Sequence, residues 1–239
     1  MNTGYVHENS KDSFCQLFYK IQGSESIVSG VFQIRLADSK VEYEDYIWMR
    51  ITLTKVFDEN SVPIRVLGVS EDITEEMSFK EKATKDSLTN LLNRAAFRQY
   101  TMQYLAEHMD DESGAMFLID IDNFKHVNDQ HGHVSGDELL LNIANILTSH
   151  FRSEDLICRL GGDEFTVFMK HVHDIEEVRK KAKLLSEALI FNSDKLFSTC
   201  SIGIVMKKVN STYEDLYWYA DRAMYQAKQQ GKNQWYLIP

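Results

Sequence analysis

Apolar and polar positions along this chain follow two different periods, and the change from one to the other divides it. In residues 45–57, Ile47, Met49, Ile51 and Leu53 alternate with Arg50, Thr52 and Thr54. A period of two predicts a half-buried strand. Residues 30–36 are also extended, 37–40 read as a turn, and Asp58-Glu59-Asn60-Ser61 returns the chain into a partner strand at 62–69. A helical patch at 11–21 precedes these strands. Three antiparallel strands with one short helix form a thin unit, and its sheet needs another surface to cover it.

From residue 84 onward, helices and strands alternate. Residues 88–108 read as helical, and 115–121 as a buried strand that stays apolar until Asp120. Residues 135–147 read as a helix: Leu139, Leu140, Ile143, Ala144 and Leu147 recur at three and four, behind a Ser135/Glu138 capping box. Strands at 155–160 and 164–169 meet at Gly161-Gly162, a hairpin signal. A helix at 174–189, a strand at 197–206, a helix at 211–228 with a Ser211/Glu214 capping box and a short strand at 234–238 follow. The order βαββαβ with appendages predicts an α+β fold, a split-βαβ sheet covered by helices. In the connector, Asp72 or Thr74 is placed to cap a helix, with Glu75 and Glu76 in its first turn and Lys80, Lys82 and Lys85 later, the charge order that suits the helix dipole. With few apolar residues, it reads either as a solvated linker or as a helix that pairs with its copy in a dimer.

Composition narrows the class. The 239 residues are 44% apolar and 26% charged, enough to bury a core and too apolar for disorder. No run approaches the ~20 apolar residues of a membrane span, and no charged-then-apolar leader opens the chain. The expectation is a cytoplasmic protein, with an upstream membrane sensor left open. Cys15, Cys158 and Cys200 lie far apart without a CxxC, which disfavours a disulfide framework or a zinc site. A net charge of −10 argues against a nucleic-acid polymer as partner, though not against a nucleotide carried in with metal ions.

Two acidic positions stand out. Asp120 ends a buried strand, where it reads either as a turn residue or as a ligand on a rigid edge. Asp163-Glu164 directly follows two glycines that permit positive φ, and a buried strand, Phe165-Thr166-Val167-Phe168, comes next. Should the Asp120 strand pair beside this hairpin, Asp120 and Asp163 converge. Two close carboxylates repel, and a divalent ion resolves the repulsion. Hard oxygen ligands suit Mg²⁺ and support in-line phosphoryl or nucleotidyl transfer. Neither a GxxxxGK[ST] loop nor a GxGxxG turn before a helix is present, which excludes a P-loop enzyme and disfavours a dinucleotide fold.

The second region resembles the GGDEF-type diguanylate cyclase family along essentially its whole length. The resemblance is carried by Asp86-Ser87-Leu88-Thr89-Asn90-Leu91-Leu92-Asn93-Arg94, by Asp120-Ile121-Asp122-Asn123-Phe124-Lys125 with Asn128-Asp129, Gly132-His133 and Gly136-Asp137, and by Arg159-Leu160-Gly161-Gly162-Asp163-Glu164-Phe165. Ser201-Ile202-Gly203 and Ala220-Asp221, Ala223-Met224-Tyr225, Ala227-Lys228 and Gly231-Lys232-Asn233 complete it. It implies a nucleotide-cyclase/polymerase-palm type of fold, with a central, mostly antiparallel sheet around a ferredoxin-like βαββαβ core. The implied reaction condenses two GTP into cyclic di-GMP and two pyrophosphates, with Mg²⁺ (or Mn²⁺), across a homodimer.

Carried over by motif position, Asp120 and Asp163 hold the metal, with the Ile121 carbonyl as a further ligand. Asp163, with Glu164, helps deprotonate the ribose 3′-hydroxyl. Lys125 offsets phosphate charge in the transition state, while Lys228 and Lys232 hold the triphosphate tail; each lysine alone would read as a solvated surface charge. Asn128 and Asp137 match the family's guanine readers. A carboxylate accepts from the ring N–H and the exocyclic amine of guanine together, which adenine does not offer. His133 contacts substrate, whereas Asp122, Asp129 and Arg159 read as structural. Arg152-Ser153-Glu154-Asp155 resembles the family's RxxD product-inhibition site, where Arg forks onto guanine O6 and N7.

The first region resembles the C-terminal half of a PAS sensor domain through Val6-His7-Glu8, the hairpin from Tyr46-Ile47-Trp48-Met49-Arg50 to Gly68-Val69, and Glu71-Asp72-Ile73-Thr74. The resulting organisation is a partial PAS-like sensor or dimerisation module at 1–76, a helical linker at 77–85 and a GGDEF cyclase domain at 86–239. The rival expectation is a catalytically silent GGDEF module that serves as a GTP or cyclic di-GMP receptor or scaffold; the intact Asp163 and Glu164 argue against it.

Overall fold

The computed structural model describes residues 5–35, 46–111, 113–172, 174–192 and 197–238. The turn expected at 37–40 therefore lies outside the described residues. The chain forms two compact units, Met1–Ala83 and Thr84–Pro239.

In the first unit, α1 (Glu8–Gln22) starts where the His7 ring accepts from the Asn9 amide and stops at Gly23, whose amide donates back to the Tyr19 and Lys20 carbonyls. Strands β1 (Ile27–Arg35), β2 (Tyr46–Phe57) and β3 (Pro63–Asp72) form an antiparallel sheet in that order. Leu17 and Ile21 of α1 bury against Val28, Phe32 and Leu53 on β1 and β2. The expected alternation is present: Val28 lies opposite Leu53, and both reach this core. β3 is exposed at every position. Helix α2 (Thr74–Thr84) follows, with the Asp72 carboxylate accepting from the Thr74 amide at 2.9 Å.

The second unit contains β4 (Leu92–Asn93), α3 (Arg94–Glu107), β5 (Gly114–Ile121), α4 (Phe124–His150), β6 (Leu156–Gly161), β7 (Glu164–Lys170), α5 (Ile175–Ala188), β8 (Phe191–Asn192), β9 (Phe197–Ser198), β10 (Cys200–Met206), α6 (Tyr213–Gln229) and β11 (Gln234–Ile238). A mixed sheet runs β11-β10-β5-β7-β6-β4, with parallel pairs only at its two edges. β5 is central and buried on both faces, which is why its sequence is continuously apolar rather than alternating. Ala115, Phe117, Ile119 and Ile121 face α4 and α5; Met116 and Leu118 face α3 and α6. Each fully buried Leu or Phe in these layers contributes roughly 1.5–3 kcal/mol. This is the expected α+β architecture, with helices on both sides of the sheet.

Several local expectations shift. The segment expected to be helical from 88 begins its helix at Arg94, because Asn93 takes the extended cap conformation and accepts from the Ala96 amide at 3.0 Å. The capping box at the last helix is Thr212 with Asp215, one residue on from Ser211/Glu214; the Ser211 hydroxyl instead accepts from the Lys208 amide. No cap forms at Ser135, since helix already runs from Phe124, and the Ser135 hydroxyl donates to the His131 carbonyl at 3.0 Å. That long helix is broken at Gly132 (φ 81°, ψ 163°), a conformation L side chains rarely take. The strand expected over 197–206 is interrupted at Thr199, with β9 pairing β8 and β10 pairing β5.

Candidate active site

The register of the central sheet assembles the acids. β5 and β7 pair antiparallel with Asp120 opposite Glu164, and the Ile121 amide donates to the Asp163 carbonyl at 3.3 Å. The Gly161-Gly162 turn that delivers Asp163 has φ of 141° and 55°. Arg159 fixes this turn: its Nε and Nη2 donate to the Gly162 carbonyl at 3.1 and 2.8 Å, and its Nη1 reaches Asp86 at 3.2 Å. Asp86 also accepts from the Thr89 hydroxyl and amide. Burial pushes the Asp86 carboxyl up, but the Thr89 bonds and Arg159 outweigh it and hold it below the ordinary range. The opening signature of the unit and its glycine turn are thus one ion-paired assembly.

The acids are electrostatically uncomfortable. Burial raises the Asp120 carboxyl, Asp163 and Asp122 raise it further, and Lys228, with Nζ 2.8 Å from Oδ1, opposes them without cancelling them. Glu164 is raised by burial and then by Asp120 and Asp163. Such a cluster is a site for added positive charge. The carboxylates of Asp120 and Asp163 and the Ile121 carbonyl would offer hard oxygens of the kind that suits Mg²⁺, an ion that keeps several waters or phosphate oxygens. Among the described residues, no group of three or more Asp, Glu, His or Cys side chains is placed to hold a metal ion.

Asp122 is buried and ties three segments together. Its carboxylate accepts from the Thr199 hydroxyl at 2.6 Å, the Ser201 hydroxyl at 2.7 Å and the Asn233 amide at 3.1 Å. The last bond anchors a turn, Gly231 to Asn233, in which all three residues have positive φ. That turn presents Lys232, whose Nζ donates to Asn123 Oδ1 at 2.7 Å, next to the acid-bearing strand end. Lys228 and Lys232 are therefore both delivered to the end of β5, one by a helix face and one by a strained turn.

Asn128 and Asp137, the positions expected to read guanine, lie on α4. Asn128 rests on Gly136: a Cβ there would sit 2.0 Å from Asn128 Oδ1, so the glycine makes room for the amide beside Asp137. Lys125, His133 and Asp137 are exposed on the same helix. Among the described residues, no hydrogen bond or ion pair links Lys125 or His133 to the acids.

Arg152 and Asp155 lie at the far end of β6 from the glycine turn. The Asp155 carboxylate accepts from the Arg152 and Lys170 amides, each at 2.9 Å, and Arg152 pairs with Glu177 of α5 at 3.0 Å. Both line a groove of about 690 Å³ together with Asn90, Asn145, Thr148 and Ser153.

Two further groups act on the acids electrostatically: Tyr217, which sequence alone does not single out, and Asp221, which it places in a motif without a role. The Tyr217 hydroxyl is raised by burial and by Glu164, and the Glu164 carboxyl is raised in part by Asp221. The signal was present: 217, 221, 224 and 228 recur at helical spacing, so the face of α6 that carries Lys228 also carries Tyr217 and Asp221.

The family model described as diguanylate cyclase, GGDEF domain, matches residues 83–234. Diguanylate cyclase DgcP of Pseudomonas aeruginosa is 36% identical over 160 residues, covering 64% of this chain and 24% of that protein. Diguanylate cyclase DgcM of Escherichia coli K12 is 35% identical over 187 residues, covering 72% and 45%. The chain thus spans less than half the length of these curated relatives. The crystal structure of the coiled coil and GGDEF domain of DgcB from Caulobacter crescentus in complex with c-di-GMP superposes with a TM-score of 0.63 at 26% identity, covering 69% of this chain and 90% of that one.

Proposed function

This chain belongs to the GGDEF diguanylate cyclase family, and on that premise we propose that it condenses two GTP into cyclic di-GMP. The observation that carries the reading is the meeting of Asp120, Asp163 and Glu164 at one strand end, with Asp120 and Glu164 raised by burial and mutual repulsion. In each half-reaction the 3′-oxygen of one GTP attacks the α-phosphorus of the other. The bond to the β-phosphate oxygen breaks, and pyrophosphate leaves. Two such steps close the ring.

The residues divide the work. Asp120, Asp163 and the Ile121 carbonyl would hold Mg²⁺, which supplies charge neutralisation at the phosphates. Asp163, with Glu164 beside it, accepts the 3′-hydroxyl proton. Lys228, which pairs with Asp120 here, would hold the triphosphate tail, and Lys232 would flank it from the Asp122-anchored turn. Lys125 offsets charge at the transferring phosphate. Asn128 and Asp137 read the guanine edge, and His133 borders the substrate. Phosphoryl transfer needs alignment and charge more than covalent help, and this set provides both. One unit carries one such half-site, so two copies must face each other. Arg152 and Asp155, beside a groove large enough for a nucleotide base, form the proposed site for product.

The Lys228–Asp120 pair is the observation that favours a second reading, in which the unit is a silent receptor or scaffold that never exchanges this pair for a metal. Chromatography of products from purified protein, GTP and Mg²⁺ at several protein concentrations separates the two. Cyclic di-GMP formed at a rate per subunit that climbs with concentration supports the cyclase. GTP bound but unconsumed supports the receptor.

A further inference from the structure

Edge strands of monomeric proteins are normally short, charged, bulged or interrupted by proline, because an open row of N–H and C=O groups is a template for another strand. β3 carries a bulge and a proline only at its start, and is open from Arg65 to Asp72. It runs for 10 residues at the edge of its sheet and is exposed throughout. Apolar side chains stand on both of its faces: Val66 is 47% exposed on one, Leu67 and Val69 52% and 66% on the other, and Ile64, at the bulge, is 59% exposed. α1 packs over β1 and β2, so its cover does not reach these residues.

The direction of the open hydrogen-bonding groups follows from one bond. The Ile73 amide donates to the Trp48 carbonyl at 2.8 Å, and the same register pairs Arg50 with Glu71 and Thr52 with Val69. Alternate residues of an antiparallel strand bond to the same neighbour. Arg65, Leu67, Val69 and Glu71 therefore turn their backbone groups to β2, and Val66, Gly68, Ser70 and Asp72 turn theirs outward. The strand's one proline, Pro63, lies past a bulge where the register shifts and the Asp58 amide donates to the Val62 carbonyl, so it guards only the first residue of the edge.

Charge then selects the occupant. Arg65 lies near one end of β3 and Glu71 near the other, on the same face. Glu71 already meets Arg50 at 2.8 Å, yet its side chain remains 62% exposed. An antiparallel pairing of two β3 strands about a two-fold axis at Gly68 places Arg65 opposite the partner's Glu71 and Leu67 opposite the partner's Val69. It also sets outward groups against outward groups, Gly68 on the partner's Gly68 and Val66 on the partner's Ser70. Axes at Val66, Leu67, Val69 and Ser70 also satisfy the backbone, but the first two leave Arg65 opposite Leu67 and Val69 respectively, and the last two leave Glu71 opposite Leu67 and Val69 respectively. Only the Gly68 register matches opposite charges.

We infer that β3 is a docking surface for a second copy of this chain, joining two three-stranded sheets edge to edge across a two-fold axis at Gly68. The inference stands on the edge itself, requires no nucleotide, and goes beyond the cyclase reading by naming the surface through which copies meet.

The test is sedimentation equilibrium of the whole chain without nucleotide, in a Cys15→Ser background. A concentration-dependent dimer is expected. Val69→Lys and Ser70→Pro are each expected to weaken it about tenfold or more, by setting a charge in the contact or removing an outward N–H. Circular dichroism checks that both variants stay folded. Gly68→Cys decides the register even if they do not. Cα atoms of a hydrogen-bonded antiparallel pair lie ~5.5 Å apart, within disulfide reach, and the new Cβ meets only a Leu53 methyl at 3.3 Å. Oxidation should therefore yield a covalent dimer from Gly68→Cys and none from Ser70→Cys, which faces Val66. A monomer at every concentration, or a dimer indifferent to Val69→Lys and without the disulfide, would overturn the inference and give the edge to a strand from elsewhere. GTP turnover is measured separately, so failure of the cyclase reading leaves this result unaffected.

Discussion

Asp163 concentrates the chemistry and the cost of the site in one side chain. With Asp120 and Glu164 beside it, its charge raises both neighbours, so Asp163→Asn relieves repulsion while removing the proposed metal ligand and proton acceptor. We expect turnover to fall at least ~100-fold, the metal-free melting temperature to hold or rise, and the Mg²⁺-induced gain in melting temperature to disappear; calorimetry with and without Mg²⁺ checks the last two. Asp86 behaves oppositely. Its carboxyl is held below the ordinary range, so its contribution to stability is present above the unfolded-state value and lost as pH falls through the folded-state value. Asp86→Asn should therefore melt lower than wild type at pH 7, with the difference shrinking in an acid titration towards pH 3. Sequence alone put both acids in motifs. It left Asp86 without a partner, because the Arg159 contact spans 73 positions and depends on how β4, β6 and the glycine turn come together.

At the scale of elements, period and turn chemistry were legible where one force dominated. The continuously apolar β5, the apolar stripe of the second half of α4, and the hairpin at Gly161-Gly162 all announce themselves, because burial on two faces, burial on one stripe and positive φ each leave a distinct pattern. Helix ends were less legible. Ser211 and Thr212 are adjacent candidates of equal chemistry, and only backbone geometry chooses Thr212. The first half of α4 carries polar, site-bearing residues and shows no stripe, so its helicity was hidden by its function. Gly203 had a motif but no evident reason. The structure supplies one: a Cβ there would lie 2.0 Å from the Ala220 carbonyl oxygen and 2.1 Å from the Met224 amide, so α6 rests its backbone directly on β10. Backbone cannot step aside as a side chain can. Gly203→Ala should cost about 1–3 kcal/mol or more and, by displacing the helix that carries Lys228, reduce activity beyond the loss of folded protein. Denaturant melts paired with specific activity of the folded fraction check both.

The whole molecule contains a thin unit that leaves a strand uncovered and a unit for which one half of a two-substrate site is proposed. The division near residue 84 showed in the change of hydrophobic period; the exposure of β3 did not, since alternating apolar residues look the same whether or not anything covers them. Arg152 and Asp155 add a second nucleotide-sized place. Arg152→Ala is expected to leave the initial rate unchanged and to prolong the linear phase of product formation, read from full progress curves; curves that bend as early as wild type would remove the proposed product role. The two places are set apart by the length of β6, 6 residues or about 20 Å of extended chain. Occupancy at one therefore does not physically block the other. Added cyclic di-GMP should depress the maximal velocity while leaving the GTP concentration for half-saturation in place, and no excess of GTP should outcompete it.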